Sequence, residues 1–195
     1  MPTLLFGILL FEAPGALGVD AFGATFKWSL LIIISISTFF VPALLIYFLY
    51  RAGYVQTMHM DSLADRRVPY FLTALLYTAT TLVFAFRFKL LSEIAPEIGI
   101  IMGSITVSVT LVGLISLFWK ISAHSVGISG LVGALLGVVI KFGETDLLYP
   151  LLGVVMLAGL LTSARLQLNA HTPSQISVGF GLGLAVSLAA VLLLV

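Results

Sequence analysis

Long apolar runs are the feature of this sequence that most restricts its fold. Six of them reach or approach the length of about 17 to 20 residues that a helix needs to cross a bilayer. They lie at 28–50, 70–86, 98–119, 125–140, 148–164 and 175–195. The runs are continuous rather than alternating, and several exceed the length of a strand. They therefore favour membrane-spanning helices over a β-barrel.

The composition supports a bilayer protein and excludes several other classes. Only 9% of the 195 residues are charged, against about 25% in soluble domains. A net charge of +1 argues against a nucleic-acid partner, which needs a concentrated basic surface. The absence of cysteine excludes disulfides, thiolate metal sites and cysteine nucleophiles. We expect an all-α, polytopic integral membrane bundle of six to seven transmembrane helices, in one domain over residues 1–195. The seventh candidate, at 2–18, either spans the bilayer or lies in its interface.

The connections between the runs divide the polar residues between two membrane faces. If each run crosses once, 51–69, 120–124 and 165–174 share one face. All three histidines lie there, with five of the nine basic residues. These residues are His59, His124, His171, Arg51, Arg66, Arg67, Lys120 and Arg165. This is the layout of an anion site at a membrane surface. The Lys and Arg totals on the two faces are too similar for the positive-inside rule to assign a compartment.

The third connection contains Arg165-x5-His171-x3-Gln175. If a helix begins near Pro173, His171 and Gln175 lie four residues apart on one face. Gln175 then accepts a hydrogen bond from one ring nitrogen and leaves the other free. An interfacial histidine and an arginine that snorkels to the headgroups fit the same residues.

Two further motifs lie on the same face. Lys120, Ser122 and His124 cluster at the start of a helix, where backbone N–H groups and the helix dipole favour an anion. Arg66 and Arg67 precede Pro69, which is expected to open the next helix, and guanidinium groups match phosphate oxygens bidentately. A membrane-interface anchor explains the first motif equally, and a basic pair facing anionic lipid explains the second.

The ordered set of three motifs resembles the type-2 phosphatidic acid phosphatase superfamily over about residues 59–180. That family is known for K-x6-RP, PSGH and SR-x5-H-x3-D motifs in a six-helix membrane core. The resemblance implies that His171 is the nucleophile that takes up the phosphoryl group, oriented by Gln175, and that His124 is the general acid. It also implies that no metal or other cofactor is needed, and that a second group of residues binds the phosphate. The phosphate-binding residues are Arg165, Ser122, Arg66, Arg67 and Lys120.

The sequence departs from the family pattern at several positions. The family lysine would fall on His59 or Met60, and the aspartate that charge-stabilises the nucleophile is Gln175. The other motifs are present as Arg67-Val68-Pro69, Ile121-Ser122-Ala123-His124 and Ala164-Arg165. An amide can set the tautomer of a histidine but cannot offset its positive charge.

The expected function is therefore a membrane phosphatase for a lipid phosphate or prenyl pyrophosphate, acting through a phosphohistidine in a bacterial inner or plasma membrane. The alternative is a weak or inactive relative that binds anionic lipid or acts as a membrane partner protein. Asp61-x3-Asp65 faintly suggests a metal-dependent prenyltransferase, although no second aspartate-rich segment accompanies it. A transporter is a further alternative, without an inverted repeat or a charge pair at mid-membrane depth to support it.

Overall fold

The computed structural model describes residues 1–56 and 62–195, apart from the side chain of Leu90. The protein is 84% helical, and no strand occurs among the described residues. Six helical stretches are long and apolar enough to cross a membrane, at Ala24–Arg51, Leu63–Arg87, Pro96–Ile115, Ala123–Phe142, Thr145–Gln167 and Pro173–Leu194. Each contains most of one apolar run of the sequence, and the prediction of an all-α polytopic bundle is confirmed. His59 and Asp61 lie outside the described residues.

Nine α-helices make up the described part of the bundle. They are α1 (Pro2–Glu12), α2 (Ala24–Ser35), α3 (Val41–Arg51), α4 (Leu63–Leu82), α5 (Lys89–Ile94), α6 (Pro96–Ile115), α7 (Ala123–Phe142), α8 (Leu148–Gln167) and α9 (Pro173–Leu194). π-Helical turns at Ile36–Phe40 and Val83–Arg87 join α2 to α3 and extend α4. The α2–α3 pair therefore forms a single span.

The π-helical turn between α2 and α3 accommodates a proline in the middle of a span. Pro42 has no N–H to offer the Thr38 carbonyl, and in a regular helix its ring would clash with that carbonyl. The hydroxyl of Tyr77, on α4, donates a hydrogen bond to the Thr38 oxygen over 2.7 Å. A wider turn thus makes room for the ring, and a neighbouring helix supplies the missing donor.

The start of α4 corrects one prediction from the sequence. The helix begins at Leu63, and Ser62 caps it by accepting a hydrogen bond from the Asp65 N–H. Pro69 therefore lies inside the helix and does not open it. The capping serine determines the start, because its side chain satisfies a backbone donor that has no partner within the helix.

The segment at 2–18 is not a seventh span. Helix α1 has 11 residues and a length of about 16 Å, about half of the hydrocarbon core. Its Phe6, Leu9 and Leu10 are fully buried. Helix α1 therefore packs into the bundle and contributes to its core without crossing the membrane.

Helix α7 is the most buried of the six spans, and glycines allow α9 to pack closely against it. A Cβ atom added at Gly133 would lie 2.6 Å from the Leu184 carbonyl oxygen, and one at Gly183 would overlap the Val126 carbonyl. Only residues without a side chain allow two helix backbones to approach so closely. This contact fixes the start of α9 against the start of α7.

The outer surface of the bundle carries many large apolar side chains. Phe118 and Tyr149 are each 84% exposed, and Met156 and Leu193 are more than 70% exposed. A soluble protein rarely exposes so much apolar surface, whereas the hydrocarbon of a bilayer matches it. The fold is that of a multi-pass membrane protein. We refer to the end at which α6 and α8 finish and α4, α7 and α9 begin as the histidine end.

Candidate functional site

His171 lies at the start of α9 and forms a hydrogen bond with Gln175. Its Nδ1 lies 3.0 Å from the Gln175 Oε1 atom, and the histidine is only 9% exposed. The same oxygen accepts a hydrogen bond from the Thr172 N–H, and the Thr172 hydroxyl accepts one from the Gln175 N–H. Together these bonds form a capping box, so the structure that begins α9 also orients the histidine.

The capping box fixes which nitrogen of His171 is protonated. The Thr172 N–H can only donate, so the side-chain atom of Gln175 that faces it must be the carbonyl oxygen. That oxygen can only accept, so Nδ1 of His171 carries the proton in this contact. In the neutral ring, Nε2 therefore has the free lone pair. This is the tautomer required of a histidine that attacks through Nε2.

The surroundings of His171 lower its pKa below the ordinary value of 6.5. Burial is the main cause, because it disfavours the charged ring. The hydrogen bond to Gln175 opposes the shift, whereas the positive charges of Arg66, Lys120 and Arg165 add to it. The ring is therefore neutral at pH 7 and lies within the electrostatic range of three cations.

Arg165 and His124 are in direct contact although they lie on different helices. The guanidinium Nη2 of Arg165, at the end of α8, lies 2.8 Å from Nδ1 of His124, in the first turn of α7. Arginine can only donate, so His124 accepts at Nδ1 and carries its proton on Nε2. The Nε atom of Arg165 is buried and has no hydrogen-bond partner among the described residues.

Ser122 forms hydrogen bonds at the starts of two helices. It is fully buried and caps α7, where its oxygen accepts hydrogen bonds from the N–H and the hydroxyl of Ser125. Its own N–H donates to the backbone carbonyl oxygen of Gln175 at 3.4 Å. Ser122 thus joins the starts of α7 and α9, and its role as a phosphate ligand stays a prediction.

The two arginines at the start of α4 point in different directions. Arg66 is 6% exposed and donates to the Ile121 carbonyl oxygen over 3.4 Å. Arg67 is exposed, because adjacent helical residues lie about 100° apart around the axis. Arg66 therefore belongs to the site, whereas the structure does not bring Arg67 into it.

Residues 121–124 are the meeting point of the three motifs. The start of α7 contacts α4 through Arg66, α8 through Arg165 and α9 through Gln175. The predicted convergence at one end of the bundle is therefore present in the structure. We call the following residues the polar cluster: Arg66, Lys120, His124, Arg165, His171 and Gln175.

An apolar cavity of about 350 Å³ lies next to the polar cluster. Its walls include Tyr70 and Ala123 near the histidine end, and Tyr77 and Leu131 deeper in the bundle. Tyr70 and Tyr77 are seven residues apart on α4, and Ala123 and Leu131 are eight residues apart on α7, which corresponds to about 10 Å and 12 Å along the helices. The cavity therefore extends from the level of the cluster toward the middle of the membrane.

The tyrosines of this cavity were not singled out from the sequence. Arg66, Tyr70, Thr73 and Tyr77 follow one another at intervals of four, three and four residues, the spacing of one helix face. This polar face on an otherwise apolar span is the sequence signal from which the tyrosines could have been predicted. It begins within the polar cluster and continues along the cavity.

No group of three or more His, Cys, Asp or Glu side chains that could hold a metal ion occurs among residues 1–56 and 62–195. Asp65, one of the two aspartates of the prenyltransferase alternative, is buried and accepts a hydrogen bond from the Gln56 N–H. Among the described residues, Asp65 therefore connects the first turn of α4 to the segment that follows α3.

The fold and the site together define a polytopic helical membrane protein with a cationic, histidine-containing cluster at one end. No family model, no curated protein and no solved structure matches the chain. Membership in the type-2 phosphatidic acid phosphatase superfamily therefore stays a prediction, which rests on the motifs of this sequence.

Proposed function

We propose that the protein is a membrane phosphatase that releases phosphate from a lipid phosphate or prenyl pyrophosphate through a phosphohistidine. One observation carries the proposal: both histidines and three cations from separate motifs converge at the start of α7. A fixed neutral imidazole, a second imidazole and preorganised cations are the groups that phosphoryl transfer requires.

In the first step, Nε2 of His171 attacks the phosphorus atom while the bond to the lipid oxygen breaks. Arg165 and Arg66 stabilise the charge on the phosphoryl oxygens. When Arg165 turns from His124 to the phosphate, Nδ1 of His124 takes a proton from the aqueous medium, and the ring becomes an imidazolium. The imidazolium then gives its Nε2 proton to the leaving oxygen, and the products are the lipid alcohol and phosphohistidine.

In the second step, water attacks the phosphorus atom of phosphohistidine. His124, now neutral, takes a proton from the water while the phosphorus–nitrogen bond breaks and its electron pair returns to Nε2 of His171. Inorganic phosphate leaves, and both histidines are ready for another cycle. Gln175 keeps the tautomer correct, but its neutral amide leaves the positive charge of phosphohistidine unbalanced. We therefore expect slow turnover.

The apolar cavity supports a lipid substrate over a water-soluble phosphate ester. It lies beside the cluster, within the bilayer, and its lining is mainly apolar. A helical bundle, rather than a β-barrel, is also the form that spans bacterial inner membranes and plasma membranes, and we place the protein there.

A second candidate function is the binding of an anionic lipid or a membrane partner without catalysis. Two observations favour it: Gln175 stands where the family has a carboxylate, and Arg165 is bonded to His124 itself. A cationic cluster of this kind holds a phosphate headgroup whether or not the chemistry proceeds.

Phosphate release by the purified protein tests the main proposal. In detergent with a metal chelator, the wild type should release phosphate from a panel of lipid phosphates and prenyl pyrophosphates, and His171→Ala should not. Arg165→Ala should slow release by at least about 10²-fold. Arg87→Ala, an exposed arginine at the other end, is the matched control and should retain the wild-type rate.

Absence of release by the wild type from every substrate would contradict the phosphatase. Anionic lipid that copurifies with the wild type and with Arg87→Ala, but not with Arg165→Ala, would then identify the binding function.

A further inference from the structure

Three hydroxyl groups in the cavity have no hydrogen-bond partner among the residues that the structure describes. They belong to Tyr70 and Thr73 on α4 and to Ser108 on α6, and all three residues line the cavity. The Ser108 oxygen is fully buried and unpaired, in a residue only 7% exposed. Buried polar groups are almost always paired, so the buried Ser108 hydroxyl indicates that a ligand supplies its partner. The half-buried Tyr70 and Thr73 face the same cavity and offer two further hydroxyls to that ligand.

Tyr70 and Thr73 lie close to the polar cluster along α4. Tyr70 and Thr73 follow Arg66 by four and seven residues, about 6 Å and 10 Å along the helix. The positive charges of Arg66 and Arg165 act on the Tyr70 hydroxyl. A molecule whose phosphate lies in the cluster therefore brings its next few atoms to these hydroxyls before its chain reaches the apolar part of the cavity.

We propose that Tyr70, Thr73 and Ser108 form a hydrogen-bonding subsite that recognises an oxygen-bearing group between the phosphate and the hydrocarbon chain of the ligand. The ligand is then a phosphate ester with an ester carbonyl or a hydroxyl next to its chain. A plain alkyl or prenyl chain leaves the three hydroxyls unpaired, and sites built for hydrogen bonds discriminate against ligands that lack the matching group. The subsite rests on the proposed function only in the position of the phosphate.

Tyr70 is the best residue for a test, because its hydroxyl bonds to no described residue and its removal leaves the described contacts intact. Binding is measured with the full chain carrying His171→Ala, so that the ligand is not consumed. The probes are a 1-acyl glycerol phosphate and an alkyl phosphate with the same number of chain carbons. We expect the acyl glycerol phosphate to bind at least about fivefold more tightly, the effect of one or two hydrogen bonds.

Adding Tyr70→Phe should reduce this preference by about fivefold and leave the affinity for the alkyl phosphate unchanged. Tyr47→Phe, the same substitution at an exposed tyrosine of α3, should leave the preference intact. Val109→Phe should weaken the binding of both probes, because Val109 lines the cavity. Val107→Phe, on the exposed side of the same helix, should weaken neither.

Equal affinity of the two probes, or an equal loss of both on Tyr70→Phe, would overturn the subsite, as would a failure of the acyl glycerol phosphate to bind. Phosphate release by the wild-type chain decides the phosphatase separately. If the binding preference holds without any release, the phosphatase fails and the subsite stands. If both probes are hydrolysed at the same rate and bound equally, the phosphatase stands and the subsite fails.

Discussion

At the residue scale, Gln175 has two roles that no other residue of the polar cluster combines. Its carbonyl oxygen accepts from the Thr172 N–H, which stabilises the start of α9, and from Nδ1 of His171. A carboxylate could accept both bonds equally well and would add a negative charge. The difference between an amide and a carboxylate at this position is therefore one of charge and not of geometry.

Replacement of Gln175 should separate these two roles. Gln175→Glu should keep both hydrogen bonds and the stability of α9, and its negative charge should raise the pKa of His171. Gln175→Leu should lower the free energy of unfolding by about 1 kcal/mol and reduce phosphate release by about 10²-fold or more, because the tautomer is no longer fixed. Thermal unfolding and phosphate release in detergent measure both effects. A wild-type rate for Gln175→Leu would contradict the orienting role.

The pH dependence of activity should report the positive charge around His171. The nucleophile must be neutral, and its lowered pKa keeps it neutral to a lower pH than an ordinary histidine. Lys120→Met removes one of the cations that lower this pKa, so the pKa should rise. The acid limb of kcat/KM should then move to higher pH, because the protonated, inactive ring persists to a higher pH. Lys89→Met, at an exposed lysine near the other end, should leave the limb in place, and an unchanged limb for Lys120→Met would contradict the electrostatic role.

The sequence predicted the parts of the site that depend on local spacing. His171 and Gln175 lie four residues apart, and the expected hydrogen bond follows from one helical turn. The bond between Arg165 and His124 spans 41 residues, and the direction in which Arg67 points depends on the start of α4. Spacing alone could not determine either, because both are results of helix packing.

At the scale of elements, the packing of α9 against α7 holds His171 close to His124. The starts of these helices touch where the Ser122 N–H donates to the backbone carbonyl oxygen of Gln175, at 3.4 Å. Below this contact, glycines bring the two backbones together. A change in the glycine contact therefore changes the position of the nucleophile relative to the general acid, although Gly183 lies about three helical turns beyond the start of α9.

Two glycines of α9 allow a matched test of this packing. A Cβ atom at Gly183 would overlap the Val126 carbonyl and the Ser129 hydroxyl, whereas one at Gly181 would contact nothing within 4 Å. Gly183→Ala should lower the free energy of unfolding by about 1 to 3 kcal/mol and also reduce phosphate release. Gly181→Ala should be neutral or stabilise the helix by up to about 1 kcal/mol. Equal effects of the two substitutions on unfolding in detergent would contradict the close packing of α7 and α9.

The elements themselves were largely predictable, because the apolar runs of this chain are long and well separated. The six spans follow from them, whereas α1 does not. Its length and hydrophobicity suit a bilayer interface as well as a protein interior, and only packing against α2 and α7 decides between them. The start of α4 before Pro69 depended on the cap at Ser62, which competes with the proline as a signal for a helix start.

At the scale of the whole molecule, the arrangement requires that the residues flanking the polar cluster face one side of the membrane. The chain has no cysteine, so single cysteines can report this directly. Ser62 and Ser174 are exposed at the histidine end, and Glu93 and Thr145 are exposed at the opposite end. In sealed vesicles of known orientation, a membrane-impermeant maleimide should label Ser62→Cys and Ser174→Cys from the same side. Glu93→Cys and Thr145→Cys should be labelled only from the other side, because each span carries the chain across the membrane and successive connections therefore lie on opposite sides. Phosphate should be released on the side that labels Ser174→Cys, and labelling of Ser62→Cys and Ser174→Cys from opposite sides would show that the three motifs cannot form one site.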